Sequence, residues 1–349
     1  MRKLSFITAT IAGTAMLAAC GGEGGSAGHS RDSIRAVGSS TVYPFGKAVS
    51  ENFAKNNPGF KSPIIESTGT GAGMKLFCAG LGAQTPDIVN ASRRMKKSEF
   101  ADCQANGVTD IIELQVGLDG LALASAKNGI VLPLTTETVY KALAAKPYGK
   151  EQSARTWADV DPALPAERIL VYGPPSTSGT RDSFAELILE AGCNADPAMK
   201  QLKETDEAGY RKTCTEVRND GAYVDAGEND NLIVQKVEAN PRALGIFGYS
   251  YLEENSDKMH GQSLNGVVPT YDNIASLKYP GAREMFIYVK KAHVAAIPGL
   301  KEFIGEWAKA WVPKGALAAI GLITSPAEKM ARNNDAAQNL TTMTGDDLH

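Results

Sequence analysis

The chain has 349 residues, with 36 Lys and Arg against 39 Asp and Glu, for a formal net charge of −3. A balance this close to neutral gives no electrostatic footprint for a nucleic-acid partner, and the length is a prior for two domains. No repeat of solenoid-like period is visible, which sets aside stacked-repeat architectures.

Arg2 and Lys3 open the chain, and residues 4–16 are mostly apolar. That stretch is too short for a permanent membrane span and has the layout of a secretory signal. It ends in Leu17-Ala18-Ala19-Cys20, which resembles a bacterial lipobox, where the Cys is lipidated and becomes the first mature residue. An ordinary signal peptide with an incidental Cys is the plainer alternative. Residues 21–33 are rich in Gly and Ser and read as a flexible leash. Beyond the N-terminus there is no long apolar segment, so the mature chain is expected to be soluble. Setting Cys20 aside, Cys78, Cys103, Cys193 and Cys214 remain, an even number suited to an oxidising compartment. Sequential pairing, Cys78 with Cys103 and Cys193 with Cys214, is the simplest of three connectivities. A zinc site is the rival, but no CxxC or paired-His spacing supports it.

The remaining elements alternate. Residues 33–37 read as a strand, and 41–55 as a helix with Phe45, Val49 and Phe53 at helical spacing, stopped by Asn56-Asn57-Pro58-Gly59. Strands follow at 63–67 and 87–91, each before a helix, at 73–80 and 97–106. Residues 111–124 are long and apolar with Asp119 and Gly120 in the middle, a candidate for a strand crossing between lobes. Helices are expected at 135–145, 179–191, 231–240 and 298–311, the last with Phe303 and Trp307 four apart. Strands are expected at 169–172 and 244–249, and residues 285–289 form a candidate second crossing. Alternation of this kind implies an α/β architecture with mainly parallel sheets.

Three strand-to-helix turns combine glycines with hydroxyls: Gly38-Ser39-Ser40-Thr41, residues 67–73 (STGTGAG), and residues 175–181 (PSTSGTR). A helix N-terminus offers unpaired N–H groups and partial positive charge, and Ser and Thr add donors without net charge. Simple N-capping explains any one such turn. Three in one chain suit a single tetrahedral oxyanion. No GxxxxGK[ST] loop is present, and in residues 69–74 Met74 stands where a dinucleotide loop needs its third glycine.

Residues 38–44 (GSSTVYP), 69–75 (GTGAGMK), 90–93 (NASR), 178–181 (SGTR) and 279–289 (YPGAREMFIYV) together resemble the binding proteins of bacterial phosphate ABC importers, in that family's order. The resemblance implies a class II periplasmic-binding-protein fold, with two lobes joined by two hinge strands and the ligand cleft between them. Its expected layout is a signal peptide at 1–20, a leash at 21–33, lobe 1 from 34–118 and 281–349, and lobe 2 from 119–280. It implies inorganic phosphate as ligand, an ABC permease as partner, no cofactor, metal or catalytic residue, and a monomer in the periplasm, lipid-anchored to the cell envelope. The implied phosphate ligands are Ser39, Ser40, Thr41, Thr70, Ser92, Arg93, Ser178, Gly179, Thr180 and Arg181.

Two positions depart from the family's usual pattern. Arg93 stands where many members carry an Asp that accepts the phosphate proton and so excludes sulfate; a variant branch also has Ser-Arg there. Pro174 stands where the family has an Arg, for which Arg93 and Arg181 are candidate substitutes, although Arg181 equally suits a solvated helix surface. The proton acceptor is left open among Asp119, Glu228 and Asp230, the last two also explained by helix capping. Sulfate, arsenate or a phosphonate is the alternative ligand, and a sensor of the same fold the alternative role. A hydrolase is the remote one. The only GxSxG, around Ser26, lies in the leash, and none of His29, His260, His293 and His349 adjoins the three turns.

Overall fold

The computed structural model describes residues 31–227 and 229–348. The signal peptide, Cys20, Ser26, His29, Glu228, His349 and most of the leash lie outside the described residues. Arg31 donates to the Thr85 carbonyl at 2.7 Å and to Asp87 at 2.8 Å, so the chain is docked on lobe 1 from that residue onward.

Lobe 1 begins with β1 (Arg35–Gly38), α1 (Tyr43–Asn56), β2 (Ile64–Ser67), α2 (Thr70–Phe77), β3 (Ile88–Ala91) and α3 (Lys97–Ala105). β4 (Ile111–Ala126) then leads into α4 (Thr136–Leu143), β5 (Val171–Gly173) and α5 (Gly179–Phe184), which runs on through a π-type turn at Ala185–Leu189 to Glu190–Cys193. Next come α6 (Pro197–Thr205), α7 (Glu207–Cys214), β6 (Tyr223–Asp225), α8 (Asp230–Ala239), β7 (Leu244–Gly248), β8 (Met259–Gly261), β9 (Ala282–Lys290), α9 (Leu300–Ala310) and α10 (Ala327–Asn339). The strands join in the order β2-β1-β3-β9-β4-β7-β5-β6, with β8 beside β4. β1 pairs parallel with β2 and β3, and β5 parallel with β6 and β7; the crossing strands are antiparallel to their neighbours.

The period of two sorts the lobe 1 core. Ile88, Ile112 and Ile287 face α1 and α9, where Phe45, Val49, Phe53, Phe303 and Trp307 pack. Val89, Ile111, Phe286 and Tyr288 face the other way, against Met74, Phe77 and the Cys78–Cys103 disulfide. Helices thus cover both faces of a sheet that is mixed rather than mainly parallel, because β4 and β9 run antiparallel to their neighbours. Lobe 2 has its own core, centred on Trp157, Tyr140, Phe184, Tyr210 and Phe247, with a second disulfide, Cys193–Cys214.

β4 belongs to both lobes. Its 16 residues reach roughly 53 Å at strand rise. Residues Ile111 to Gly120 pair with β9, and Leu121 to Ala124 with β7. The register slips between Gln115 and Gly117, just before the handover. Such an irregularity bends a strand and raises its twist. Gly117 is needed there: a Cβ would stand 2.7 Å from the Leu322 side chain and 2.9 Å from the Ile323 carbonyl. The molecule is a two-lobed α/β protein whose lobes share two hinge strands.

Candidate functional site

β1 and β3 end side by side, and their loops meet. Gly38, at φ +132°, turns the chain away; a Cβ on it would stand 2.1 Å from the Asn90 carbonyl. That carbonyl instead accepts the Ser39 N–H at 2.9 Å. The Gly38 carbonyl accepts the N–H groups of Thr68 and Gly69, at 2.8 and 2.9 Å, which holds the α2 entrance against the α1 entrance. Ser39 is buried and its Oγ accepts the Val42 N–H at 3.4 Å, a turn-closing role. Thr70 and Ser92 pair with each other: their hydroxyls are 3.1 Å apart and Thr70 Oγ1 also accepts the Ser92 N–H at 3.2 Å.

From the other lobe, β5 ends at Gly173 and α5 starts behind Ser178, whose Oγ accepts the Thr180 N–H at 3.2 Å. Tyr223 donates to the Pro174 carbonyl at 2.6 Å and pins the start of this loop. Burial pushes the Tyr223 phenol up to about 12, so it keeps its proton, with Arg181 opposing. The α5 N-terminus abuts the first loop of lobe 1: a Cβ on Gly179 would stand 3.4 Å from the Ser40 carbonyl and 3.6 Å from Thr41 Cα.

Between these loops lies a cavity of about 490 Å³. Ser40, Thr41 and Ser67 line it from lobe 1, and Thr177, Ser178, Gly179, Thr180 and Ser183 from lobe 2. Asp119 and Gly120 of the hinge form part of the wall, with Asp230 at the start of α8. The expected Ser40, Thr41, Ser178, Gly179 and Thr180 are thus brought together, whereas Thr70 and Ser92 are not part of the lining.

The two expected arginines point elsewhere. Arg93 makes a forked pair with Glu99, at 2.7 and 2.9 Å, and this pairing raises its pKa despite burial. Arg181 donates to the Pro174 carbonyl at 3.2 Å and lies over the Tyr223 ring, 4.3 Å from its centroid. Arg283, on β9, instead bonds to three residues of the cleft wall. Its Nη2 donates to Thr41 Oγ1 at 2.6 Å and to Ser183 Oγ at 2.7 Å, its Nε to Asp119 at 3.0 Å, and its Nη1 to Glu186. The sequence quoted Arg283 only within a strand motif, and its partners lie 97 to 242 positions away.

Of the candidate carboxylates, Asp119 Oδ2 accepts from Ser183 at 2.7 Å and from Arg283. Asp230 Oδ2 accepts the Gly248 N–H at 3.2 Å. A second cavity, about 430 Å³, lies between β4, β9 and α10. Five of its charged groups are paired, as Arg94–Glu113, Arg94–Asp347 and Lys329–Glu284, with Arg332 beside them, and no Ser or Thr lines it. Among the described residues there is no group of three His, Cys, Asp or Glu that could hold a metal ion. His293 is paired with Asp87 at 2.6 Å, and His260 pairs with Ser125 across the β4–β8 ladder; neither lines the cleft.

Comparison with known proteins agrees with this architecture. A family model described as the PBP superfamily domain matches residues 25–309. The protein SphX of Synechococcus elongatus is 36% identical over 274 residues, covering 75% of this chain and 70% of that protein. The phosphate-binding protein PstS of Staphylococcus saprophyticus is 29% identical over 308 residues, covering 86% and 83%. Among solved structures, a possible phosphate binding protein from Planctomyces limnophilus superposes with a TM-score of 0.70 at 28% identity, covering 88% of this chain and 98% of that one. With a two-lobed fold and a hydroxyl-lined cleft in place, the chain belongs to the PBP superfamily, in its PstS-like family.

Proposed function

We propose that this protein binds inorganic phosphate outside the cytoplasm and hands it to an ABC permease. The observation that carries the reading is the cleft itself. Ser40 and Thr41 from one lobe face the Ser178-Gly179-Thr180 helix start from the other, so neutral polar groups converge from both sides. Buried charge is tolerable only when its oxygens are hydrogen-bonded, and fixed N–H and O–H groups supply that. Its kinship to the phosphate-binding protein PstS supports phosphate over other oxyanions. Closure of the lobes over the anion creates the surface that a permease reads. Catalysis is no part of this reading, because the kinship is to a phosphate-binding protein.

The protein is held at the envelope by a lipid on Cys20, and its described part contains no helix long and apolar enough to cross a membrane. Cys20→Ala is expected to release the chain into the soluble envelope fraction, and persistence in the membrane fraction would remove the anchor from the reading. The test of function is isothermal titration of the anion-stripped mature domain with phosphate, sulfate and arsenate. Phosphate binding without a sulfate signal is the expected result. Binding of none of the three would overturn the proposal, and equal binding of sulfate would move it to a general oxyanion carrier.

A further inference from the structure

Arg283 stands opposite Asp119 in the β4–β9 ladder, at the point where β4 passes from one lobe to the other. It is 8% exposed, and its guanidinium touches Thr41 of lobe 1, Asp119 of the hinge, and Ser183 and Glu186 of lobe 2. A guanidinium only donates, so each hydroxyl it contacts must present a lone pair to it. Ser183 then spends its own proton on Asp119 Oδ2. Thr41 differs. Its Oγ1 accepts from Arg283 at 2.6 Å, its side chain lines the cleft, and its proton must point away from the guanidinium.

We propose that Arg283 is a positioning residue for the cleft, fixing the Thr41 hydroxyl as a one-directional donor to the bound oxyanion. A lone threonine hydroxyl rotates between donating and accepting roles. One that already accepts a short charge-assisted bond is committed to donating, and an anion needs donors. Arg283 therefore acts on the ligand through Thr41, while Asp119 and Glu186 neutralise the guanidinium and hold its plane. The inference rests on the oxyanion reading of the cleft.

A double-mutant cycle read by phosphate titration tests it, with thermal unfolding of each variant as the folding control. Arg283→Gln and Thr41→Val are each expected to weaken phosphate binding by about 10- to 100-fold, the range for one lost bond to a charged group. The double variant is expected to lie within about threefold of the weaker single variant, because both changes remove the same donor. Arg283→Lys, which keeps a charge and a donor, is expected to recover part of the loss. If Arg283→Gln does not fold, Arg283→Lys with Thr41→Val completes the same cycle. Losses that multiply in the double variant, or an Arg283→Gln protein that binds like wild type, would overturn the inference while leaving phosphate binding intact. Wild-type protein that binds no phosphate would overturn the functional reading itself, and this inference with it.

Discussion

Ser40 of lobe 1 donates its hydroxyl to Asp182 Oδ2 of lobe 2 at 2.6 Å. This bond joins the two lobes beside the cleft and, with the Arg283 contacts, ties the two halves of the chain together. A partly exposed bond to a carboxylate contributes on the order of 1 kcal/mol. Asp182→Ala is therefore expected to speed phosphate dissociation about fivefold in stopped-flow measurements, with a larger radius of gyration for the anion-free protein. An unchanged dissociation rate would mean that the Ser40–Asp182 bond does not oppose opening.

Ser178 and Thr70 look alike in the sequence, each in a glycine–hydroxyl turn, but the structure separates them. Ser178 lines the cleft and caps α5 through the Thr180 N–H. Ser178→Ala is expected to weaken phosphate by roughly 1–3 kcal/mol and to lower stability by about 1 kcal/mol through the lost cap. Thr70 is engaged with Ser92 and does not line the cavity, so Thr70→Ala is expected to weaken binding by no more than about fivefold, the low end of such losses. Titration of both variants checks the order; a larger effect at Thr70 would place the ligand deeper in lobe 1 than the cavity walls suggest.

What the sequence disclosed follows from locality. The apolar run around Asp119 and Gly120 disclosed the crossing strand, because burial on both faces leaves a continuous apolar stretch. The loop glycines and hydroxyls pointed to Ser40, Thr41 and Ser178, which line one cavity, because backbone geometry and capping act over a few residues. β5, only three residues long, was legible because it sits in the apolar run 169–172, whereas β6 (YVD) and β8 (MHG), equally short, lie in no such run and were not legible. Nor was α10, which buries little more than Ala337 and is fixed by Asn333 on the Gln115 backbone and by Asn334 on the Trp311 indole. The arginines show the same divide. Their residue type fitted an anion site, but which carboxylate or hydroxyl each one meets is decided by folding. Arg93 meets Glu99 six positions on, and Arg283 meets Thr41 from 242 positions away.

Gly38→Ala tests the junction of the lobe 1 loops. The residue sits at φ +132°, which side chains avoid, and its Cβ would strike the Asn90 backbone. Neither neighbour yields without breaking the Ser39 N–H to Asn90 bond or shifting β3. A loss of about 3 kcal/mol or more is expected in chemical denaturation, together with weakened phosphate binding, since strain and overpacking add. A stability within 1 kcal/mol of wild type, the scale of an ordinary surface change, would show that the β1–α1 turn relaxes at low cost.

Lys290 gives the protein a specific pH response. Its side chain is fully buried, donating to the Gly80 carbonyl at 2.6 Å and to Thr85 Oγ1 at 2.7 Å, over the Phe77 ring. Burial pushes its pKa down from 10.5 to about 8, with Asp87 opposing. Between those values the unfolded chain holds a proton that the folded chain has released. The unfolded state then binds more protons, so stability from this group rises with pH from about 8 toward 10.5, and below 8 the cost of burying the ammonium is present in full. Buried tyrosines such as Tyr279, raised by desolvation, act in the opposite direction above about pH 10, so the clean window lies below that. Denaturant unfolding of wild type and Lys290→Met at pH 8 and 9.5 isolates the effect. The stability difference, wild type minus variant, is expected to rise by about 1.5 kcal/mol across that interval. A difference that stays flat would mean that Lys290 remains charged in the fold, held by the Gly80 and Thr85 bonds.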